Sequence, residues 1–263
     1  MNNTPAALKD GGAAVITGGA SGIGLAAAMN MARLGLNVVL ADINEEQLAQ
    51  ARSAILGDSE RAEDSVVTAK TDVSDSAQVE ALKDLAFERF GQVNFLMNNA
   101  GAALPAGPWG DLDAWRQLLE INLFGVINGV QIFTQPMLDQ GKPAMIVNTG
   151  SKQGITCPPG NAAYNTSKAA VKAVTESLAH SLRCVEGSQV SAHLLVPGFV
   201  YSGMVAAFLP DKPPGAWTCE ETVEHMLARL ADGDFYIICP DNETTWEMDR
   251  KRIAWAARDM TEN

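Results

Sequence analysis

Ala13-Ala-Val-Ile-Thr-Gly18-Gly-Ala-Ser-Gly22-Ile-Gly24 joins a short apolar run to a cluster of glycines. The run has the length of a buried strand, and the residues after it, rich in Ala, Leu and Met, predict a helix that ends at Gly35. Glycines allow the backbone to turn sharply and to approach a phosphate group closely. The first turn of the helix adds free N–H groups and a partial positive charge. The segment therefore predicts a strand, a phosphate-binding turn and a helix.

The rest of the chain repeats this alternation of short apolar runs and longer helical patterns. Strands are predicted at Ala13–Thr17, Asn37–Asp42, Ser65–Lys70, Val93–Met97, Ala144–Thr149, Val190–Val196 and Phe235–Cys239. After the first helix, further helices are predicted at Glu45–Leu56, Asp75–Phe90, Trp109–Asp139, Asn161–Val185, Thr218–Ala231 and Glu243–Met260. This order predicts an α/β fold, a single doubly wound parallel sheet of Rossmann type with helices on both faces. No linker divides residues 1–263, so we expect a single domain.

Composition and charge exclude several classes of function. The net charge of −12 disfavours binding to nucleic acid, because a polyanion would be repelled. No run approaches eighteen apolar residues and the N-terminus lacks an apolar signal segment, so we expect a cytoplasmic protein with no membrane span. The four cysteines have no CxxC spacing, which is typical of free thiols in a reducing compartment; they are Cys157, Cys184, Cys219 and Cys239. The three histidines stand apart from other ligand-type residues, and no metal site is predicted; they are His180, His193 and His225.

Five segments follow predicted strands and should meet at one edge of the sheet. In parallel sheets the carboxyl ends of the strands form the ligand crevice. The segments are Gly18–Gly24, Asp42, Asn98–Gly101, Ser151 and Pro197-Gly198.

Asp42 ends the second strand eighteen residues after Gly24, about where a dinucleotide-binding unit places the acid that holds the adenosine ribose. Its carboxylate would accept hydrogen bonds from ribose hydroxyls and repel a 2′-phosphate. No Arg or Lys occurs in Gly18–Gly24 or Ile43–Glu46 to attract that phosphate, which favours NAD over NADP. Asp42 could instead cap the next helix, although Asn44 could do so equally well.

Tyr164 and Lys168 are four residues apart, and Ser151 lies thirteen residues before the tyrosine. On a helix, the first two project from the same face. An ammonium about 4 Å from the phenol contributes on the order of 4 kcal/mol at an effective dielectric of 20. That would lower the phenol pKa by roughly two to three from its usual value of about 10. Tyr164 would then exchange a proton near neutral pH, with Ser151 bonded to the same substrate oxygen. A solvated Tyr/Lys pair is the plain alternative.

With these motifs in view, residues 10–240 closely resemble the short-chain dehydrogenase/reductase family. The glycine motif TGxxxGxG, the NNAG motif, the YxxxK motif and the PG motif are all present. They fall at Thr17, Gly18, Gly22, Gly24, Asn98 to Gly101, Tyr164, Lys168, Pro197 and Gly198, with the family serine at Ser151 and the family asparagine at Asn122.

The resemblance implies four catalytic residues. Tyr164 would be the general acid/base, and Lys168 would lower its pKa and bind the nicotinamide ribose. Ser151 would orient the substrate oxygen. Asn122 would hold a water molecule that links Lys168 to solvent.

The resemblance also implies the residues that hold the cofactor NAD. Asp72 and Val73 would meet the adenine, and Asn99 would brace the loop under the cofactor. The expected set is Gly18, Ser21, Gly22, Ile23, Gly24, Asp42, Asp72, Val73, Asn99, Ala100, Gly101, Tyr164, Lys168, Pro197, Gly198, Val200 and Ser202. Members of the family are commonly homotetramers or homodimers, packed through the helices that here contain Asn122 and Tyr164.

The substrate is expected to be an apolar or aromatic secondary alcohol or its ketone. Its pocket would be lined by Gln153–Pro159 and Phe199–Trp217, with apolar walls from Tyr201, Phe208 and Trp217. Lys152 would either be solvated or contact an anionic or polar group of the substrate.

Two other functions are compatible with this fold. One is a non-catalytic, regulatory NAD-binding protein, although such a protein would be expected to lose the tyrosine or the lysine. The other is an epimerase or dehydratase, for which the short segment Phe199–Trp217 leaves little room for a sugar-nucleotide domain.

Overall fold

The computed structural model describes residues 4–9, 11–59, 61–206, 209–241 and 244–262. Within these residues seven parallel strands form one sheet in the order β3-β2-β1-β4-β5-β6-β7. The strands are β1 (Ala13–Thr17), β2 (Asn37–Asp42), β3 (Val66–Lys70), β4 (Phe95–Asn98), β5 (Ala144–Thr149), β6 (Val190–Val196) and β7 (Tyr236–Ile238). This arrangement confirms the predicted doubly wound sheet.

Helices cover both faces of the sheet, as expected when both faces of its strands are apolar. They are α1 (Gly22–Arg33), α2 (Glu45–Asp58), α3 (Ser76–Phe90), α4 (Leu112–Leu119), α5 (Gly125–Asp139), α6 (Gln153–Thr156), α7 (Ala162–Cys184), α8 (Gly203–Ala206), α9 (Cys219–Ala231) and α10 (Trp246–Glu262). Short 3₁₀ turns lie at Ala6–Leu8 and Glu63–Ser65. The short helices α6 and α8 have too few residues to show a helical period in the sequence.

Two layers of core side chains separate the helices from the sheet. On one face, α1, α2 and α9 contribute Met31, Ile55 and Met226 to a buried cluster. On the other face, α3 and α5 contribute Leu82 and Phe133, and the C-terminal half of α7 joins them.

Local capping fixes where several helices begin. The side chain of Asn44 accepts a hydrogen bond from Gln47 N at 3.0 Å, so this residue caps α2 and leaves Asp42 available for the crevice. Thr218 and Glu221 form the reciprocal capping box at the start of α9 that their spacing indicates.

The predicted helix Trp109–Asp139 is interrupted. It begins at Leu112, and a π-helical segment, Glu120–Phe124, joins α4 to α5. Such single-turn widenings are frequent at functional sites. Here the widened turn contains Asn122, which is fully buried, and this gives a structural reason for an asparagine inside a helix.

The switch in strand order lies beside β1, whose neighbours are β2 and β4. The connections that leave these strands run in opposite directions, which opens a crevice at their carboxyl ends. No helix in the described part of the chain is long and apolar enough to cross a membrane.

Candidate active site

A crevice of about 700 Å³ lies at the carboxyl ends of the central strands. Most of the residues expected to bind cofactor or substrate line it. They are Gly18, Ser21, Gly22, Ile23, Asp42, Asn99, Ala100, Gly101, Ser151, Tyr164, Lys168, Pro197, Gly198, Val200 and Ser202. The structure thus brings the separate sequence motifs to one place.

Three residues expected to bind the cofactor do not line this crevice. Gly24 lies beneath the glycine turn, where an added Cβ would be 2.1 Å from the carbonyl oxygen of Gly18. Its role in the structure is to let α1 approach the turn. Asp72 accepts hydrogen bonds from the backbone N and the hydroxyl of Ser74 at 3.0 and 2.7 Å, and Val73 is buried. The contact of Asp72 and Val73 with adenine therefore has no support from the crevice lining.

Asn99 fixes the floor of the crevice through both ends of its amide. Its Nδ2 donates to the carbonyl oxygens of Thr17 and Gly18 at 3.2 and 3.3 Å, and its Oδ1 accepts from the hydroxyl of Thr149 at 3.3 Å. The Thr17 hydroxyl in turn accepts from the backbone N of Asn99 and Ala100. These bonds join the ends of β1, β4 and β5.

Asp42 lies at the far end of the crevice and is held by the backbone. Its Oδ2 accepts from Ala20 N and its Oδ1 from Asn44 N, both at 3.2 Å. Among the described lining residues Lys168 is the only basic side chain, so the end near Asp42 has none. This arrangement suits ribose hydroxyls better than a phosphate.

Ser151, Tyr164 and Lys168 meet at the opposite end of the crevice. Ser151 and Tyr164 both line this end of the crevice, and Ser151 interacts with the Tyr164 phenol. The Nζ atom of Lys168 lies 5.7 Å from the centroid of the Tyr164 ring and donates to the carbonyl oxygen of Thr149 at 2.9 Å. The last residue of β5 therefore supplies the carbonyl that positions the lysine, and the loop after β5 supplies the serine.

The pKa values of this group differ from the expectation that Lys168 lowers the pKa of Tyr164. Burial raises the pKa of the Tyr164 phenol, and the hydrogen bond with Ser151 opposes that rise only in part. Burial also lowers the pKa of Lys168 to about 8. The low dielectric penalises both charged forms, and the ammonium donates to Thr149 rather than to the phenol. The protein alone therefore holds a protonated phenol.

Asn122 lies behind the crevice and joins the loop after β4 to α7. Its Oδ1 accepts from Ala102 N at 2.7 Å, and its Nδ2 donates to Ala102 O at 2.9 Å and to the hydroxyl of Ser167 at 3.3 Å. A Cβ added at Gly101 would lie 3.3 Å from the Asn122 Oδ1 and 3.7 Å from the Lys168 Nζ. Asn122 and Lys168 thus flank the same glycine.

Lys152 is not solvated, contrary to one of its two expectations, and its contact with a substrate stays a prediction. It is 9% exposed, and its Nζ lies 3.2 Å from Asp241 Oδ2 and 2.7 Å from Asp249 Oδ2. The contact with Asp249 is an ion pair without a hydrogen bond. Asp241 Oδ2 also accepts from Phe199 N at 3.2 Å. Lys152 therefore connects the loop after Ser151 to the C-terminal residues.

Two of the three apolar walls proposed for the substrate pocket, Tyr201 and Trp217, have other positions in the structure. Tyr201 donates from its hydroxyl to Pro210 O at 2.6 Å, and the Trp217 ring packs edge-on against that of His225. Neither residue lines the crevice, because both instead hold the segment after β6 together, and Phe208 lies outside the described residues. Phe199 does line the crevice.

Two of the three histidines have structural partners. The ring of His193 lies between the hydroxyl of Ser191 and the carbonyl oxygen of Asp234, and His225 bonds to Ile238 O. Within the described ranges there is no cluster of His, Cys, Asp and Glu that could hold a metal ion.

A doubly wound parallel sheet with a glycine turn at the carboxyl ends of its strands is typical of dinucleotide-binding proteins. The sequence profile of the family described as "short chain dehydrogenase" matches residues 12–213. The chain belongs to this family.

Two relatives and one solved structure show the range of the similarity. The chain is 34% identical over 232 residues to 1-deoxy-11-beta-hydroxypentalenate dehydrogenase of Streptomyces exfoliatus, which covers 86% of this chain and 82% of that protein. It is 37% identical over 174 residues to 3beta-hydroxysteroid dehydrogenase 2 of Eggerthella lenta, covering 64% of each. A short chain dehydrogenase/reductase from Burkholderia phymatum in complex with NAD has a TM-score of 0.80 and 36% identity, covering 87% of this chain and 89% of that one. These similarities support an oxidoreductase of alcohols and ketones.

Proposed function

We propose that the protein interconverts a secondary alcohol and its ketone with NAD as cofactor. The observation that carries this proposal is that Ser151, Tyr164 and Lys168, from separate parts of the chain, line the same crevice of about 700 Å³ as the glycine turn and Asp42. Alcohol oxidation requires a group that takes the hydroxyl proton while a hydride leaves the carbon. Tyr164 is the one lining phenol that occupies this end of the crevice in the described residues.

The residues present fit a dinucleotide. Gly18 has a φ of +62°, and a Cβ there would lie 2.9 Å from the Cα of Ala100, so the turn requires glycine. Ser21, the N-cap of α1, makes no side-chain capping bond, which leaves the first N–H groups of the helix for a pyrophosphate. Asp42 would receive the adenosine ribose. When bound, NAD supplies the hydride acceptor, or as NADH the hydride donor, at its nicotinamide ring.

The chain's own residues carry the proton. In the reducing direction the phenol of Tyr164 donates its proton to the substrate oxygen as the hydride reaches the carbon, and the Ser151 hydroxyl donates a hydrogen bond to that oxygen. The raised pKa of Tyr164 favours the protonated acid that this step needs. In the oxidising direction the tyrosinate accepts the hydroxyl proton. With a pKa of about 8, Lys168 is mostly protonated at pH 7 and stabilises that anion.

Proton exchange with solvent would pass behind the crevice. Asn122 and Lys168 flank Gly101, and we assign to Asn122 the water-holding role that its family position implies. The widened helical turn around Asn122 supports this assignment, because it departs from the regular pattern of backbone bonds.

The test is a screen for NAD-dependent turnover. Aromatic, aliphatic, steroid and polyol alcohols are each incubated with NAD and the protein, and the appearance of NADH is followed by its absorbance. We expect at least one secondary alcohol to give turnover. Tight NAD binding with no absorbance change on the alcohols or on the matching ketones with NADH would instead favour the non-catalytic, regulatory function.

Assembly and location are part of the same proposal. We expect a cytoplasmic homotetramer or homodimer packed through α4, α5 and α7. The half-exposed Phe124, between α4 and α5, supports this, because large apolar side chains outside a core favour an interface. Light scattering on the purified protein would give the mass of the assembly, and a monomer mass would contradict the expectation.

A further inference from the structure

A second cavity, of about 690 Å³, opens from the same end of the crevice. The two cavities share Ser151, Gln153, Gly198 and Phe199. A substrate whose oxygen bonds to Ser151 can therefore extend the rest of its structure into this space, which we name the distal chamber. Its volume lies in the range of small-molecule sites, about 300–1,000 Å³.

The wall of the distal chamber has two chemical parts. Ile155, Pro158, Phe199 and Trp255 make it apolar, and Trp255, from α10, keeps 74% of its surface exposed. Lys251 and Arg252, also from α10, add positive charge to the wall. They belong to Arg250-Lys-Arg252, the one place in the sequence with three basic residues in a row.

Among the described charged side chains around the distal chamber, Arg252 is the one that is not paired with an opposite charge. Asp241 lines the wall, but its carboxylate is taken up by Lys152 Nζ and by the backbone N of Phe199 and Thr244, and its pKa is lowered. Lys251 forms an exposed ion pair with Glu247. Across the described residues Arg252 has no acidic partner.

We propose that the substrate carries a carboxylate, separated from the reacting carbon by an aromatic or apolar group, and that Arg252 binds this carboxylate in the distal chamber. This inference rests on the proposed function, because it places the reacting oxygen at Ser151. A guanidinium matches the planar carboxylate with two parallel hydrogen bonds. In a chain of net charge −12, basic side chains in the wall of the chamber favour the approach of an anion.

The experiment compares two ketones that differ in one group, 4-acetylbenzoate and 4-methylacetophenone. Their kcat/KM values with NADH are measured for the wild type, for Arg252→Gln and for the control Arg258→Gln. Arg258 lies on the same helix, pairs with Glu262 and does not line the chamber. Calorimetric titration of each protein with 4-acetylbenzoate in the presence of NAD measures binding without turnover.

We expect the wild type to prefer the carboxylate by about tenfold or more, the size of one charge-assisted contact. Arg252→Gln should abolish that ratio and weaken the calorimetric affinity by a similar factor, while Arg258→Gln keeps both. Equal use of the two ketones by the wild type, or a preference unchanged in Arg252→Gln, would overturn the inference. If neither ketone turns over, Arg252-dependent binding of 4-acetylbenzoate still supports the inference, and absence of binding overturns it. Failure of the proposed function itself would appear in the broader alcohol screen.

Discussion

The spacing of residues around Tyr164 predicts where the site lies, but it does not predict the pKa values of the groups in that site. The four-residue spacing of Tyr164 and Lys168 brings both side chains to one end of the crevice. The glycine and NNAG motifs form other parts of the crevice wall. The direction of the pKa shifts could not be read from spacing, because burial dominates both groups. The ion pair between Lys152 and Asp241 could not be predicted from spacing either, because the two residues lie 89 positions apart in the sequence.

Asp42 carries the prediction on cofactor choice. The wild type should use NAD with higher kcat/KM than NADP, because a carboxylate without a nearby cation repels the 2′-phosphate. Asp42→Ala should reduce the ratio of kcat/KM with NAD to kcat/KM with NADP by about tenfold or more, mainly by lowering the KM for NADP. Steady-state kinetics with both cofactors measure it, and a native preference for NADP would refute this role.

At the scale of the elements, close packing of α6 against α7 positions the loop that contains Ser151. The short helix α6 lies against α7 at the position of Lys168, and a Cβ on Gly154 would be 2.5 Å from the backbone carbon of that residue. Strand positions were predictable from apolar runs, and most long helices from their caps. The contact of α6 with α7 could not be predicted, because a four-residue helix shows no hydrophobic period. The need for glycine at position 154 also depends on Lys168, which is distant in the sequence.

Replacing Gly154 should therefore separate the two helices. Gly154→Ala is expected to lower the free energy of unfolding by about 1–3 kcal/mol, the usual cost of overpacking, and to reduce kcat by displacing Ser151. Gly57→Ala, in α2, is the matched control: nothing lies within 4 Å of its added Cβ, so we expect equal or slightly higher stability. Thermal unfolding and turnover are measured on the same samples of both variants. Equal stability and equal kcat in the two variants would contradict this packing role of Gly154.

At the scale of the whole molecule, ion pairs attach the C-terminal residues to the loop that follows β5. One buried cation, Lys152, holds two carboxylates, Asp241 before α10 and Asp249 within it. Asp241 also accepts a hydrogen bond from the backbone N of Phe199. One cluster of contacts therefore joins the loop that contains Ser151, the segment after β6, and α10. The parallel sheet and its edge were predictable from strand order. The docking of α10 was not, because its sequence shows only a charged, partly apolar helix.

Removing the buried cation should release this helix. Lys152→Met leaves two uncompensated carboxylates and should lower the free energy of unfolding by about 3–5 kcal/mol. Lys172→Met breaks the half-exposed pair with Glu176 and should cost less than about 1 kcal/mol. Denaturant unfolding followed by tryptophan fluorescence measures both. A Lys152 variant as stable as the Lys172 variant would show that the cluster does not hold α10.

The proton transfer at residue 164 is tested most directly by a single turnover of Tyr164→Phe with bound NADH and a ketone that the wild type reduces. NADH binding is measured on the same sample, so that loss of the cofactor is not mistaken for loss of chemistry. We expect NADH affinity within about threefold of the wild type and a hydride-transfer rate reduced by at least about a hundredfold, the usual contribution of a positioned general acid. A variant that binds NADH and transfers hydride at the wild-type rate would contradict the role of the phenol.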